Sequence, residues 1–200
     1  MMRVNEIFHS LQGEGYNSGT PAVFVRFSGC NLRCPFCDTQ HTGGTEMTEQ
    51  EIVEAVKRFV PDAPSCAPLV VITGGEPALQ LTASLVDALH GAGMRVAVET
   101  NGTLPLPPNV DWITLSPKNA WLGDEAVPVL PRADELKVLY DGEHEPSMSD
   151  KIEVAHRFLQ PMDTGDPVRN AALMSQTADY CMRHPQWRLS LQIHKILNIR

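Results

Sequence analysis

Three cysteines lie within eight residues of this chain, at C-x3-C-x2-C spacing: Cys30, Cys34 and Cys37. Three thiolates on one short loop can ligate three irons of a [4Fe–4S] cube, which leaves the fourth iron open. An open iron can bind and reduce a ligand, whereas the four-cysteine runs of ferredoxins close every iron and only transfer electrons. The spacing therefore favours chemistry at a cluster that a loop over residues 28–44 would hold.

Two other uses of clustered cysteines are less favoured. A zinc site completed by His41 would need a second ligand pair of suitable spacing, which the sequence does not offer. Disulfides are disfavoured because the number of cysteines is odd and no charged and apolar secretory leader is present. We therefore expect a reducing, cytoplasmic compartment, with Cys66 and Cys181 as spare thiols.

The composition narrows the class of protein and of ligand. With 200 residues, 42% hydrophobic and 20% charged, the chain reads as one globular domain, and no apolar run is long enough to cross a bilayer. A formal net charge of −8 weakens the case for a nucleic-acid partner, because binding to a phosphate backbone uses clustered Lys and Arg. A small-molecule ligand is the better expectation.

The first half of the chain alternates between predicted strands and helices. A capping box at Thr48 and Glu51 opens one helix, and a second helix ends at the glycines of residues 91–93. The strands predicted around them cover residues 22–27, 69–72 and 95–99. This order favours a parallel sheet whose ligands sit at the carboxyl ends of the strands.

The second half is less regular. Its predicted strands cover residues 112–115, 135–139, 157–159 and 188–193, and its predicted helices cover 150–156 and 167–183, the second capped by Asp166. Residues 116–134 read as a loop. With about six mostly parallel strands and fewer helices than an eightfold barrel requires, we predict an α/β fold of the shortened, partial (β/α) barrel type.

Gly74-Gly75-Glu76-Pro77 follows the strand after the cysteine loop, and an aromatic, Phe36, stands just before the last cysteine. Together these features resemble the radical S-adenosylmethionine (SAM) superfamily. Within it, the chain is similar to the 7-carboxy-7-deazaguanine synthase family over nearly its whole length. The segments that carry this likeness are Leu11-Gln12-Gly13-Glu14-Gly15, Arg26, Cys37-Asp38-Thr39, Ile72-Thr73-Gly74-Gly75-Glu76-Pro77, Glu99-Thr100-Asn101-Gly102-Thr103, Ser116-Pro117-Lys118, Leu159-Gln160-Pro161 and Gln192-Ile193-His194-Lys195-Ile196-Leu197-Asn198-Ile199.

The resemblance implies a reaction and its cofactors. The reaction is the contraction of 6-carboxy-5,6,7,8-tetrahydropterin to 7-carboxy-7-deazaguanine with loss of ammonia, catalysed by a lyase of queuosine and deazapurine synthesis. The implied cofactors are SAM, a [4Fe–4S] cluster and Mg²⁺, and a 5′-deoxyadenosyl radical would remove a pterin hydrogen. The implied partners are the pterin, an electron donor such as flavodoxin or ferredoxin, and a second copy of the chain in a homodimer.

The same resemblance assigns cofactor ligands. Cys30, Cys34 and Cys37 would hold the cluster. Ser116 and Lys118 end a strand, where a hydroxyl and a cation suit the ribose or carboxylate of SAM, although a solvated lysine is the alternative. Phe36 would lie near the adenine or else anchor the core. The full set expected around SAM is Phe36, Gly75, Glu76, Ser116, Pro117, Lys118, Gln160, Pro161, Met162 and Asp163.

The substrate and Mg²⁺ are assigned in the same way. The Arg26 guanidinium fork matches the pterin carboxylate, with a surface salt bridge as the alternative. Thr39 would bind Mg²⁺, with Asp38 as a competing candidate. A tail over residues 194–200 would pack over the active site, and no catalytic side chain is expected beyond the cluster and cofactor. The residues expected around the pterin are Leu11, Gln12, Gly13, Arg26, Thr73 and Arg200, the last through its terminal carboxylate.

Two other functions remain open at this point. A different radical SAM enzyme, such as an activase that places a glycyl radical on a partner protein, would share the cluster and the Gly-Gly-Glu-Pro turn. It would also need an exposed docking surface and often further clustered cysteines. A noncatalytic iron–sulfur binding protein would require neither that turn nor Lys118.

Overall fold

A nine-stranded sheet organises the protein in the computed structural model, which describes residues 1–61, 64–146 and 152–200. The strands run in the spatial order β3-β1-β2-β4-β5-β6-β7-β8-β9. All neighbours from β2 to β9 are parallel, whereas β1 is antiparallel to both β2 and β3. Their bounds are Met2–Leu11 (β1), Pro21–Phe27 (β2), Thr45–Met47 (β3), Leu69–Gly74 (β4), Arg95–Thr100 (β5), Trp112–Leu115 (β6), Arg132–Tyr140 (β7), Glu153–Pro161 (β8) and Arg188–Leu189 (β9).

The helices are short and have the predicted caps. Thr48 accepts from the backbone N–H of Glu51, and the Glu51 side chain accepts from the backbone N–H of Thr48, so the predicted capping box is confirmed. Asp166 caps the longest helix, as predicted. In the described ranges, no helix has the length and apolar composition needed to cross a membrane. The helices are Glu49–Lys57 (α1), Ala83–Gly91 (α2), Asn119–Leu122 (α3), Pro167–Arg183 (α4) and Ile193–Leu197 (α5), with 3₁₀ turns at Pro77–Leu79 and Gly123–Ala126.

The two faces of the central strands serve different purposes. One face, here called the outer face, is covered by α1 and α2. Alternate side chains on it, such as Val25, Ile72 and Val98, form the main core with these helices. The inner face is apolar near the amino ends of the strands, where the residues packed together are Phe8, Ala22, Phe24, Leu69, Val71, Ala97 and Trp112. Two residues further along their strands, the inward positions are polar: Arg26, Thr73, Glu99 and Thr114. The pleat therefore directs a row of polar groups to the carboxyl edge of the sheet.

The predicted fold class is confirmed. The sheet is mostly parallel, carries few helices and is not closed, because its order begins at β3 and ends at β9. The predicted number of strands is too low: the hairpin strand β1 and the short β3 were not expected. Both pair antiparallel at the edge of the parallel array, where β1 extends the open sheet.

Three local predictions are wrong. Residues 153–156 were expected in a helix but belong to β8, because β8 pairs along almost all of β7; residues 150 and 151 lie outside the described residues. The strand expected over 188–193 ends at Leu189, because the chain turns to contact the segment after β1, where the Ile193 N–H donates to the Gly13 carbonyl at 3.0 Å. The loop expected over 116–134 contains α3 and a 3₁₀ turn.

Candidate active site

One cavity of about 790 Å³ at the polar edge of the sheet gathers most of the predicted site residues. It is lined by the cysteine loop, by the ends of the parallel strands, and by the segments after β1 and β9. All predicted cluster, cofactor, magnesium and substrate residues line it except Glu76, Pro117 and Pro161. Residues far apart in the chain therefore share one concave site.

The cysteine loop is held closed by backbone hydrogen bonds. The Gly29 N–H donates to the His41 carbonyl at 2.8 Å, and the Cys37 N–H donates to the Cys34 carbonyl at 3.2 Å. The Leu32 N–H points at the Cys30 Sγ at 3.4 Å, as donors around cluster sulfurs do. Cys30, Cys34 and Cys37 all line the cavity, so the donor set suits a [4Fe–4S] cluster.

The electrostatics of the loop depend on what the thiols bind. Burial raises the pKa of the Cys30 and Cys34 thiols, so without a cation both would stay protonated at neutral pH. A bound metal centre favours the thiolate form. Among the described residues, no three His, Cys, Asp or Glu side chains are placed to hold a single metal ion.

The Gly-Gly-Glu-Pro turn lies directly against the cysteine loop. The Glu76 N–H donates to the Gly29 carbonyl at 2.9 Å, and the Gly75 N–H donates to the Phe27 carbonyl at 3.3 Å. A Cβ at Gly75 would lie 2.1 Å from the Gly29 oxygen and 2.8 Å from the Cβ of Cys30. Only glycine therefore permits this approach, which puts backbone atoms of the turn beside the thiols.

Replacing Gly75 by alanine is expected to destabilise the protein by about 1–3 kcal/mol, because the new methyl group would meet backbone atoms that cannot move aside alone. The matched control is Gly91→Ala at the end of α2, where an added Cβ meets no atom within 4 Å. That change is expected to stabilise by up to about 1 kcal/mol. Urea denaturation of both variants measures the difference, and equal stabilities would contradict the contact.

The Glu76 side chain points away from the cavity. It is fully buried and accepts hydrogen bonds from Ala78 N at 2.9 Å, Thr100 Oγ1 at 2.7 Å and Asn101 N at 2.7 Å. Burial raises its pKa. The carboxyl group thus ties the turn to the end of β5, and only the backbone of this residue is close to the site.

Lys118 and Ser116 follow β6 and face the cavity. The Lys118 Nζ donates to the Ser116 carbonyl at 2.7 Å and to the Ser116 Oγ at 2.5 Å. Burial lowers the pKa of Lys118 to about 8. An anionic ligand here would favour the charged form, so this segment can bind a carboxylate.

A buried charge network was not predicted from the sequence. Lys137, 5% exposed, forms an ion pair with Glu14 and lies 3.7 Å from Glu99 Oε1. Gln12 donates to Glu99 at 2.8 Å, and Gln192 donates to Glu14 at 2.8 Å. Burial disfavours the charged form of both residues. The attraction between the two opposite charges is stronger than this effect, so the pKa of Lys137 is raised and that of Glu14 is lowered. A lysine between the apolar residues Leu136 and Val138 of β7 was the available signal.

The end of the chain contacts the site at several points. Lys195 Nζ lies 2.7 Å from Asp38 Oδ2 and 2.6 Å from Asp163 Oδ2, so it joins the cysteine loop to the loop after β8. These contacts lower the pKa of Asp163 to about 2. A Cβ at Gly13 would lie 2.1 Å from His194 Nδ1. Arg200 pairs with Glu6, and its backbone oxygen accepts from Ser10 Oγ.

The two remaining predicted groups have partners inside the cavity. Arg26 donates through Nε to Glu6 Oε1 at 2.9 Å. The salt bridge named above as its alternative role is therefore present, at the cavity wall. Thr39 and Asp38 both line the cavity, and their side chains lie 3.4 Å apart. Asp38 is also paired with Lys195, whose Nζ donates to Asp38 Oδ2 at 2.7 Å.

Comparison with known proteins extends the likeness beyond these motifs. Residues 24–118 match the family model described as the Radical SAM superfamily. A protein of Bacteroides thetaiotaomicron named 7-carboxy-7-deazaguanine synthase is 51% identical over 201 residues, covering 100% of both chains. Its namesake from Burkholderia multivorans is 42% identical over 214 residues, covering 98% of each. The crystal structure of QueE from Escherichia coli matches with a TM-score of 0.73 at 28% identity, over 96% of this chain and 93% of that one.

Proposed function

This chain belongs to the 7-carboxy-7-deazaguanine synthase family of the radical SAM superfamily, and from that premise we propose how its cavity works. The enzyme is a radical SAM lyase that contracts 6-carboxy-5,6,7,8-tetrahydropterin to 7-carboxy-7-deazaguanine with loss of ammonia. The observation that carries this function is the meeting, in one cavity, of a three-thiol loop, a glycine turn and a buried polar network.

Cys30, Cys34 and Cys37 are proposed to hold the [4Fe–4S] cluster, beside the site for SAM. When bound, the cluster and SAM supply radical-generating reduction chemistry. The chain's own part is to orient the ligands and exclude water, since an alkyl radical would react with any nearby C–H bond. The backbone at Gly75 and the Lys118 cation suit the amino and carboxylate groups of SAM. The remaining SAM contacts are proposed at Phe36, Ser116, Gln160, Met162 and Asp163, which all line the cavity.

The pterin is proposed to bind between the polar inner face and the segment after β1. The terminal nitrogens of Arg26 form the fork for its carboxylate, while the contact to Glu6 uses only Nε. Gln12 and Thr73 also line the cavity and are proposed to contact the pterin there. The Glu14–Lys137 pair fixes the loop that carries Gln12. Leu11, Gly13 and Arg200 complete the proposed substrate contacts.

Mg²⁺ is proposed to bind at Thr39. A hydroxyl is a weak ligand by itself, but Mg²⁺ prefers oxygen, keeps several waters and can take further oxygens from the substrate. The pairing of Lys195 with Asp38 and Asp163 supports this choice, because both carboxylates already hold a cation, and Thr39 lines the cavity.

We further propose the organisation in which the enzyme works. Residues 1–200 form one radical SAM domain, whose tail over residues 194–200 covers the active site; the contacts of Lys195 and Ile193 support that cover. The domain is proposed to form a homodimer and to receive electrons from a flavodoxin or ferredoxin in a reducing cytoplasm. Free cysteines and an oxidisable cluster fit that compartment.

Turnover by anaerobically reconstituted protein tests the function. With SAM, Mg²⁺, a chemical reductant and the carboxypterin, we expect one ammonia for each 7-carboxy-7-deazaguanine formed. SAM cleavage without deazaguanine, on an intact cluster, would contradict the assignment and point to another radical SAM enzyme. A cluster whose spectrum does not respond to SAM would exclude both functions, the deazaguanine synthase and any other radical SAM enzyme.

Arg26→Lys tests the proposed carboxylate fork. Lysine keeps the charge but loses the paired N–H groups, so we expect the KM for the carboxypterin to rise by about ten-fold or more. The matched control is Arg132→Lys, at the exposed start of β7, which should leave KM unchanged. A competing pterin without the carboxylate should inhibit both variants equally, and a selective loss of that inhibition in Arg26→Lys would contradict the assignment.

A further inference from the structure

We propose that Asp141 is a positioning residue that acts through Trp121 on Phe36, and that it thereby sets the affinity for the adenosyl half of SAM. This inference rests on the proposed function, in which Phe36 contacts SAM, and on the adenine position that the family resemblance implies for Phe36. Neither Asp141 nor Trp121 lines the cavity. Phe36 does line it, and Trp121 packs against Phe36.

The contact between Trp121 and Phe36 links the cysteine loop to the segment after β6. The Trp121 ring meets Phe36 edge to face, with centroids 4.8 Å apart and planes at 64°. Phe36 belongs to the cysteine loop, whereas Trp121 belongs to α3, which begins directly after Lys118. A shift of Trp121 would therefore move the aromatic wall and the cationic end of the SAM site together.

Asp141 holds Trp121 in place from the end of β7. Its Oδ2 accepts from Trp121 Nε1 at 2.9 Å and contacts His144 Nδ1 at 2.6 Å, while its Oδ1 accepts from the N–H groups of Glu143 and His144 at 2.9 Å each. Burial opposes its ionisation, but these donors outweigh burial and lower its pKa. A buried carboxylate with four such contacts is a rigid support.

The chain offers variants that separate this support from simple packing. Trp121→Phe keeps an aromatic ring but loses the Nε1–H group, and Asp141→Asn replaces one acceptor oxygen by a donor. Glu143→Ala is the matched control, because the side chain of Glu143 is exposed and only its backbone N–H serves Asp141. All three variants are measured as reconstituted, full-length protein.

We expect Trp121→Phe and Asp141→Asn each to raise the KM for SAM by about ten-fold, the effect of losing one hydrogen bond to a charged group. The KM for the carboxypterin should stay unchanged, as should both constants in Glu143→Ala. In the double variant, Asp141→Asn should add nothing to Trp121→Phe, because Asp141 acts through that ring.

Equal losses for SAM and pterin, or additive losses in the double variant, would overturn the proposal, as would lowered melting temperatures with unchanged KM. SAM binding is also followed by the change that it causes in the EPR spectrum of the reduced cluster, which needs no turnover. If wild type forms no deazaguanine but the SAM titrations still separate the variants as expected, the proposed reaction fails while the support by Asp141 stands. If the titrations do not separate them, the inference fails.

Discussion

Cys34→Ala is expected to abolish deazaguanine formation. Two thiols cannot replace three at the cluster loop, so iron should be lost or bound in a different form. The loop over residues 28–44 contains no helix or strand, so the sheet should keep its circular dichroism spectrum. Iron and sulfide content, the EPR spectrum after reduction, and product formation measure the change.

The other cysteines provide the control for that experiment. Cys66 is exposed, and Cys181 lies on α4; neither lines the cavity. Cys66→Ser and Cys181→Ser are expected to keep a full cluster and wild-type turnover. A full cluster in Cys34→Ala, or its loss in the Cys66→Ser variant, would contradict the ligand assignment.

Lys137→Met is expected to have the largest effect on stability. It leaves Glu14 and Glu99 without their buried cation, and removing one partner of such a pair costs about 3–5 kcal/mol. The control is Lys137→Met combined with Glu14→Gln, which removes both charges and should regain much of the loss. Denaturant midpoints at pH 7 give the comparison.

The pH dependence of the same variant gives a second check. In wild type the lowered pKa of Glu14 contributes stability that is present above its unfolded value of 4.5 and is lost as pH falls toward about 2. Without Lys137, burial should raise the pKa of Glu14 above 4.5, so the stabilising form is the protonated one. The variant should therefore gain stability as pH falls from 8 to 5. A stability that does not rise over that range, as expected for the Glu14 contribution in wild type, would contradict the pairing.

The elements that the sequence predicted well depend on local chemistry. The capping box at Thr48, the Asp166 cap and the β-branched and aromatic run of β2 lie within a few residues of the structure they determine. The strand β8 was mistaken for a helix in part because its conformation depends on pairing with β7. The short edge strand β3 likewise needs its partner β1, because their register joins residues more than 40 positions apart.

The same distinction between local and long-range determinants applies to the site. Motif and resemblance indicated the cysteines, the glycine turn and the Lys118 segment, and the structure brings these into one cavity. The Glu14–Lys137 pair could not be predicted, because 123 residues separate its members and only the fold brings them together. The Trp121–Asp141 contact similarly joins the loops after β6 and β7. The motif could not reveal that the Glu76 side chain turns into the protein.

A structure of the reconstituted enzyme with SAM and the carboxypterin tests the central claim most directly. We predict a cluster held by Cys30, Cys34 and Cys37, with the methionine of SAM on its open iron beside Gly75 and the pterin carboxylate at Arg26. A fourth protein ligand on that iron, such as His41, would contradict the account. A pterin bound outside the cavity that the cysteine loop and the segments after β1 and β9 line would also contradict it.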